Sequence, residues 1–287
     1  MGFLQNNFIA DFFALVLKFF YNNITHDYVL ATILLVIVIK ILMLPLDIKQ
    51  RKSMAKVMAA SEKVEKIKKR YPDPRVQQAK VSEYYKKENI KPMGGCLPML
   101  LQLPIMLALY GCLKMLSDEQ TALMVIEMNN TGGAVIDLPS WLWVHNMWRP
   151  DSPFSTTVLP NLTEWQNIMK ALPEQLLTQV QNIDYEAVTA ATTAQFANYN
   201  NGYGLFAVIQ AGSMFLSQKL TPTQQAQPGA QSANSMMMVI MPLFSGYICL
   251  TVTAVFAVYW ITNNIYTIIQ SLILKKLIKP EPLSSEV

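Results

Sequence analysis

The chain has 287 residues, 52% of them hydrophobic and 15% charged, with a formal net charge of +4. A water-soluble domain carries about a quarter charged residues. Here the apolar residues are also gathered into long runs, which excludes an ordinary soluble globule and points to a membrane protein. Cys96, Cys112 and Cys249 fall in apolar segments without short spacing, and His26 and His145 stand apart from any carboxylate or thiol cluster. This pattern gives no disulfide framework and no metal site, and it reads the thiols as small buried hydrophobes. No phosphate loop or nucleophile elbow is present, so neither a cofactor nor enzymatic chemistry is expected.

In chain order, residues 1–27 come first. Phe8, Ile9, Phe12, Phe13, Val16, Phe19 and Phe20 recur at helical spacing, with Asp11 and Lys18 on the opposite face. The pattern predicts an external amphipathic helix lying in the membrane interface rather than a span. It lacks the basic start and small-residue cleavage site of a signal peptide. Five runs follow that are long enough to span about 30 Å of hydrocarbon: 28–46, 96–116, 203–219, 236–252 and 254–274.

Orientation follows from Lys and Arg in the connecting segments. Residues 47–92 hold fourteen against six acids, whereas 117–202 hold only Arg149 and Lys170 against nine acids. The tail 275–287 carries Lys275, Lys276 and Lys279. The N-terminus and 117–202 are therefore expected outside. The loops 47–92 and 220–235 and the C-terminal tail are expected in the cytoplasm.

Within 47–92, Met54, Val57, Met58, Val64 and Ile67 keep helical spacing up to Tyr71. "YPDP" (71–74) breaks the chain, with Asp73 suited to cap a helix and Pro74 to open it. Val76, Val81, Tyr84 and Tyr85 continue a second helix, so a basic antiparallel hairpin is predicted. Its charges read equally as solvation and topology signal or as a contact for anionic lipid or ribosomal RNA. In the external segment, Trp165, Ile168, Met169 and Leu172 predict a small amphipathic helix on the outer surface.

Lys40 stands inside the apolar run 29–46, "VLATILLVIVIKILMLPL". A cation near the bilayer centre costs about 2.5–3.5 kcal/mol on insertion scales. Seven residues separate it from Asp47, about 10 Å along a helix, which is farther than a lysine stem reaches. No Asp or Glu lies between Glu186 and Glu281 to pair with it. A water-filled cavity or snorkelling on a tilted helix remains. Gln102, Gln210, Asn263 and Asn264 are polar residues within spans, suited to wetting such a cavity or to bonding a neighbouring helix. Trp260 would line it or pack in the bundle. Pro45, Pro98, Pro104 and Pro242 are expected to distort their spans.

Several ordered stretches resemble one known family. "KPMGGCLPMLLQLPIMLALYGCL" (91–113) is similar to the second core span of the YidC/Oxa/Alb membrane protein insertases. "LMLPLDIKQRKSMAKV" (42–57) resembles the end of the first core span and its cytoplasmic junction. "WLWVHNMWRPDSPFSTTVLP" (141–160) resembles the external segment before the third span. "GSMFLSQKLTPT" (212–223), "MMMVIMPLFSGY" (236–247) and "VYWITNNIYTIIQ" (258–270) resemble the third, fourth and fifth spans. Three departures stand out. Lys40 occupies the position where the family typically has arginine. "TAV" (253–255) replaces an opening of Pro, a small residue and Gly. Residues 161–202 look like an insertion. The chain also lacks the large N-terminal external domain of Gram-negative members and a lipoprotein-type signal, which suits the short, Gram-positive-like form.

The resemblance implies an all-α polytopic fold. Five spans would surround a hydrophilic groove open to cytoplasm and lipid, with an interfacial N-terminal helix and a cytoplasmic hairpin. It implies a non-enzymatic insertase and chaperone in the bacterial plasma membrane. Nascent membrane proteins and the bilayer would be its partners, the ribosome and Sec translocon further candidates, and DNA not a partner. The substrate groove would include Lys40, Gln102, Gln210, Trp260, Asn263 and Asn264. A small transporter or channel, and a structural assembly factor, are the rival readings. The first lacks visible repeats or acidic coupling residues, and the second has no need of a hydrated Lys40.

Overall fold

The computed structural model of the chain describes residues 8–90, 97–154, 158–221 and 231–277. Cys96, Lys279 and most of the predicted 220–235 and 275–287 segments lie outside them. Ten α-helices account for most of the described chain. Its only extended pairing among these residues is an isolated bridge between Trp141 and Val144. The protein is all-α. Two stretches, Phe8–Thr25 and Tyr28–Arg70, are long and apolar enough to cross a membrane by length and composition.

The helices are α1 (Phe8–Phe20, running on into a π-turn at Tyr21–Thr25), α2 (Tyr28–Arg70), α3 (Pro74–Lys87), α4 (Leu97–Asn130), α5 (Leu162–Met169), α6 (Glu174–Val180), α7 (Tyr185–Gln195), α8 (Leu205–Leu220), α9 (Gln231–Cys249) and α10 (Ala254–Leu277). They build two compact units from discontinuous segments. The first is drawn from Met1–Ile37, Pro104–Gly212 and Leu243–Thr262, the second from Val38–Leu103, Ser213–Pro242 and Asn263–Val287.

Two helices outrun the apolar runs that predict them. α2 continues for 43 residues with Pro45 inside it. At about 1.5 Å per residue it measures about 65 Å, more than the 40–45 Å of a bilayer with its headgroups. Hydropathy stops at residue 46, but Met, Ala, Lys and Glu beyond it are strong helix formers, so no break falls between span and hairpin. α4 likewise passes residue 116 and stops only at Asn130. There Gly132 and Gly133 take φ of +67° and +80°, and the Gly133 amide bonds back to the Met128 carbonyl at 2.7 Å, a glycine-terminated helix end.

In the first unit, α1 buries Ala10, Phe13, Ala14 and Leu17 and ties Lys18 to Glu119 of α4 at 2.7 Å. The aromatic stripe read from the sequence divides. Phe13 faces the core, while Phe8, Phe12 and Phe19 face outward, Phe8 84% exposed. α1 is thus apolar on its exposed face as well as its buried one. Val208 and Ile209 on α8, and Leu243, Phe244 and Tyr247 on α9, are likewise large exposed apolar side chains.

The segment that leads into α8 is pinned by a fully buried carboxylate, Asp151. It accepts from the Gly204 and Phe206 amides at 2.9 and 2.7 Å and from Trp143 Nε1 at 3.2 Å, so it caps the start of α8. Gly204 adopts φ +73°, and a Cβ at Gly202 would collide with the Asp151 carboxylate. Asn201 and Asn146 complete the clasp through the Asn146 amide to Asn201 Oδ1 and the Asn146 side chain to the Val158 carbonyl, both 2.8 Å. Residues 161–195 form three short helices. Trp165 stacks on Tyr185 at 4.9 Å, the Tyr185 hydroxyl donates to the Pro160 carbonyl at 2.6 Å, and burial pushes that phenol's pKa well up. Of the predicted amphipathic set, Trp165, Ile168 and Leu172 are buried and pack with Ala122 and Val125 of α4.

In the second unit, the lower half of α2 and α3 form the hairpin. Asp73 accepts from the Arg75 amide at 2.8 Å with Pro74 in the first turn. Met54, Val57, Ala60, Val64, Tyr84 and Ile90 make its core. The charged faces carry exposed pairs such as Lys66–Glu62 and Lys80–Glu83, both 2.8 Å, which contribute little to stability. The hairpin therefore rests on its apolar seam. Val64→Ala should loosen it by about 2 kcal/mol, and Asp73→Ala by about 1 kcal/mol. Amide exchange within α3 should accelerate in both variants, more in Val64→Ala, while α4 stays protected. Unchanged exchange of α3 in Val64→Ala would refute this account of what holds the hairpin.

Candidate functional site

The second unit contains a polar seam between two otherwise apolar helices. Residues seven and eleven apart on an α-helix return to within about 20° of each other, so Lys40, Asp47 and Arg51 share one face of α2. On α10, Asn263, Asn264, Thr267, Gln270 and Ser271 recur at the spacing of a single face. The two stripes meet in parallel. Lys40 Nζ donates to Thr267 Oγ1 at 3.5 Å, Gln270 Nε2 to Asp47 Oδ2 at 3.1 Å, and Arg51 Nη2 to Ser271 Oγ at 2.7 Å. Thr267 and Ser271 in turn donate to the carbonyls one turn earlier, those of Asn263 at 2.8 Å and Thr267 at 2.6 Å. Thr221 Oγ1 of α8 lies 3.4 Å from Ser271 Oγ.

The ends of the seam differ electrostatically. Toward Arg51, a carboxylate four residues away on the same face offsets the cation, and both are bonded to α10. At Lys40 no carboxylate is paired among the described residues, and the side chain is 9% exposed. Its one acceptor is a hydroxyl at the long limit of a hydrogen bond, yet an ammonium carries three donors. Lys40 is thus a buried cation with one hydroxyl partner among the described residues, and such a group has to be stabilised by water or by an incoming acceptor.

Of the residues singled out in the sequence, Lys40 and Asn263 come together here through Thr267. Asn264 is buried and donates to Ser213 Oγ of α8 at 3.2 Å, the helix-bonding role open to such an amide. Gln102 is half-buried in the same unit. Gln210 and Trp260 belong to the first unit. Gln210 is fully buried there, and Trp260 is half-buried with its ring edge-on to Phe256 at 5.8 Å. Asp47, Arg51, Thr267, Gln270 and Ser271 were not predicted. The available signal was their spacing, not any single residue.

The family profile described as 60Kd inner membrane protein matches residues 19–281. The chain belongs to this family, the YidC/Oxa1 family. A YidC-family relative from Herminiimonas arsenicoxydans, named membrane protein insertase YidC, is 30% identical over 239 residues, covering 83% of this chain and 32% of that protein. One of the same name from Geotalea daltonii is 27% identical over 261 residues, 91% of this chain and 36% of that protein. This chain thus spans about a third of the length of those two. A third, from Clostridium tetani, also named membrane protein insertase YidC, is 29% identical over 235 residues, covering 78% of this chain and 98% of that protein. The names of these YidC relatives describe a non-catalytic role. Together with the exposed apolar helix faces, membership of the YidC/Oxa1 family makes this an all-α membrane protein.

The seam has a thermodynamic signature. Gln270→Leu removes the donor to Asp47 and should lower stability by about 1–3 kcal/mol, the cost of a lost bond to a charged group. A double-mutant cycle with Asp47→Asn, read by thermal unfolding in detergent, should show a coupling of about 1 kcal/mol. Strict additivity would mean that the two side chains do not act together.

Proposed function

We propose that the chain is a membrane protein insertase. It would move nascent membrane proteins from the cytoplasm into the bilayer of the bacterial plasma membrane, alone or beside the Sec translocon. The observation that carries this reading is Lys40, a buried ammonium with a single weak hydroxyl partner. Membership of a family whose relatives bear the insertase name supports it. So does the uneven distribution of basic residues, which places α3 and the lower half of α2 in the cytoplasm and 117–202 outside.

In this mechanism the polar external tail of a nascent segment enters a hydrated groove that includes Lys40, Gln102, Asn263 and Asn264 of the second unit. The groove lowers the tail's desolvation cost. The adjoining hydrophobic segment then partitions into lipid along the exposed apolar faces of the spans. Transfer of apolar surface, about 25 cal/mol per Å², supplies the driving force, so neither nucleotide nor cofactor is needed. Lys40 offers a transient partner to acidic residues of the tail, and the basic hairpin receives the substrate, with the ribosome a partner at that surface.

Reconstitution of the pure protein in liposomes with a short single-span substrate is the direct test. No gain in insertion over protein-free liposomes would sink the reading. The role of Lys40 is tested with wild type and Lys40→Ala on acidic and neutral tails. Lys40→Ala should fold, and even gain stability, because it removes an uncompensated buried cation. It should lose activity mainly on acidic tails, and Lys40→Arg should keep it. Equal activity in all four combinations, at equal protein levels, would remove Lys40 from the mechanism.

A further inference from the structure

The external side of the first unit holds a cavity of about 840 Å³, within the size range of small-ligand sites. Residues 117–202 contain only two cations among nine acids, Arg149 and Lys170, and both line this one cavity. Lys114 adds a third. Chance scatter would not gather every available cation of an acidic segment at one place.

The cavity carries one unbalanced positive charge. Its carboxylates are both engaged, Asp118 with Lys114 and Glu164 with Arg149, the latter at 3.0 Å. Lys170 makes no ion pair among the described residues and only a long bond, 3.4 Å, to Asn167 Oδ1. Arg149 Nη2 serves Glu164, and its Nε is buried in the wall without a hydrogen-bond partner among the described residues, so Arg149 offers the cavity its charge. The rest of the wall is apolar or aromatic, including Tyr110, Met115 and Trp148. Tyr110 and Met115 lie in the predicted span 96–116. On the membrane orientation proposed above, that puts the cavity at the level of the outer headgroups, with an apolar end toward lipid and a cationic end toward residues 161–195.

We propose that this cavity binds the phosphate-bearing headgroup of an anionic phospholipid, with Lys170 and Arg149 as its cationic donors. A phosphate diester offers several acceptors and one negative charge, matching one surplus cation, whereas phosphatidylcholine carries the same diester with a trimethylammonium that cancels its charge. A free glycerol phosphate, a monoester with the larger negative charge, shares the phosphate acceptors but lacks the chains that the apolar wall would take.

The test uses the full-length protein in a neutral detergent. Lipid retention is read by native mass spectrometry and stability by thermal unfolding, with phosphatidylglycerol, phosphatidylcholine or soluble glycerol phosphate added. Phosphatidylglycerol should be retained and should raise the unfolding temperature, whereas phosphatidylcholine should do neither. Lys170→Gln, at an exposed position where folding is not at risk, should weaken phosphatidylglycerol binding about two- to fivefold, the scale of one exposed charge. Glu164→Gln should tighten it by a similar factor. Glutamine still serves the capping box at the start of α5, but it no longer competes for Arg149. These opposite signs separate this cavity from any binding on the basic hairpin.

Equal retention of both lipids, or the same affinity in all three proteins, would overturn the proposal. Glycerol phosphate binding as tightly as phosphatidylglycerol would keep the phosphate site but overturn the lipid as its source. Displacement of the lipid by an acidic peptide at lower concentration would assign the cavity to a protein partner instead. None of these readouts uses insertion, so failure of the insertase assay leaves them interpretable.

Discussion

An ammonium buried in an apolar helix has to be stabilised by polar partners, and in the second unit the described protein gives Lys40 one hydroxyl. The polar stripe of α10 could have supplied a carboxylate opposite residue 40. It supplies the Thr267 hydroxyl instead, whose own proton goes to the Asn263 carbonyl. The carboxylate of the seam sits seven residues further along, at Asp47, where it faces Gln270 and lies one turn from Arg51. A compact ammonium is also more strongly hydrated than a guanidinium would be. Lysine at residue 40 therefore raises the demand for water at that level of the helix. A charge left open in this way is poorly suited to holding helices together. It suits the transient pairing proposed for a substrate tail.

The buried charge of the first unit has the opposite fate. Asp151 is fully buried, yet three N–H donors from α8 and Trp143 converge on it, so its charge is absorbed by fixed dipoles. The glycines at 202 and 204 belong to the same solution, one making room for the carboxylate and the other taking a left-handed turn beside it. At the start of α10 the Ala254 and Val255 amides are spent on the Arg149 and Met147 carbonyls. In this way "TAV" (253–255) anchors the start of the helix to residues 147–149. Satisfied polar groups fix one geometry, whereas an unsatisfied one leaves work for a ligand.

What was legible in the sequence follows from which forces act locally. Apolar runs, the Asp73–Pro74 helix start and the cost of Lys40 are local, and each was visible. The continuity of α2 and α4 was not, because hydropathy marks where lipid ends while helix propensity marks where the helix ends. The division of α1 was hidden because amphipathic reasoning assumes water on the far face. With lipid there, Phe12 and Phe13 look alike although one is exposed and the other buried. The partners Thr267, Gln270 and Ser271 carry weak signals singly, and only the matched spacing on two distant helices reveals them. Arg149 and Lys170 were read for topology alone, since nothing in one dimension brings residues so far apart to one cavity.

Residues 161–195 and the overlong α4 are best understood as one device. Helices of 8, 7 and 11 residues are too short to persist alone in water. Their order has to come from packing, and their apolar faces close on Trp165, Tyr185 and the stretch of α4 around Ala122 and Val125. That stretch exists only because α4 continues past the end of its apolar run. Had the helix stopped at residue 116, residues 161–195 would have lacked their docking surface. The wall that brings Glu164 to Arg149 would then have had nothing to rest on.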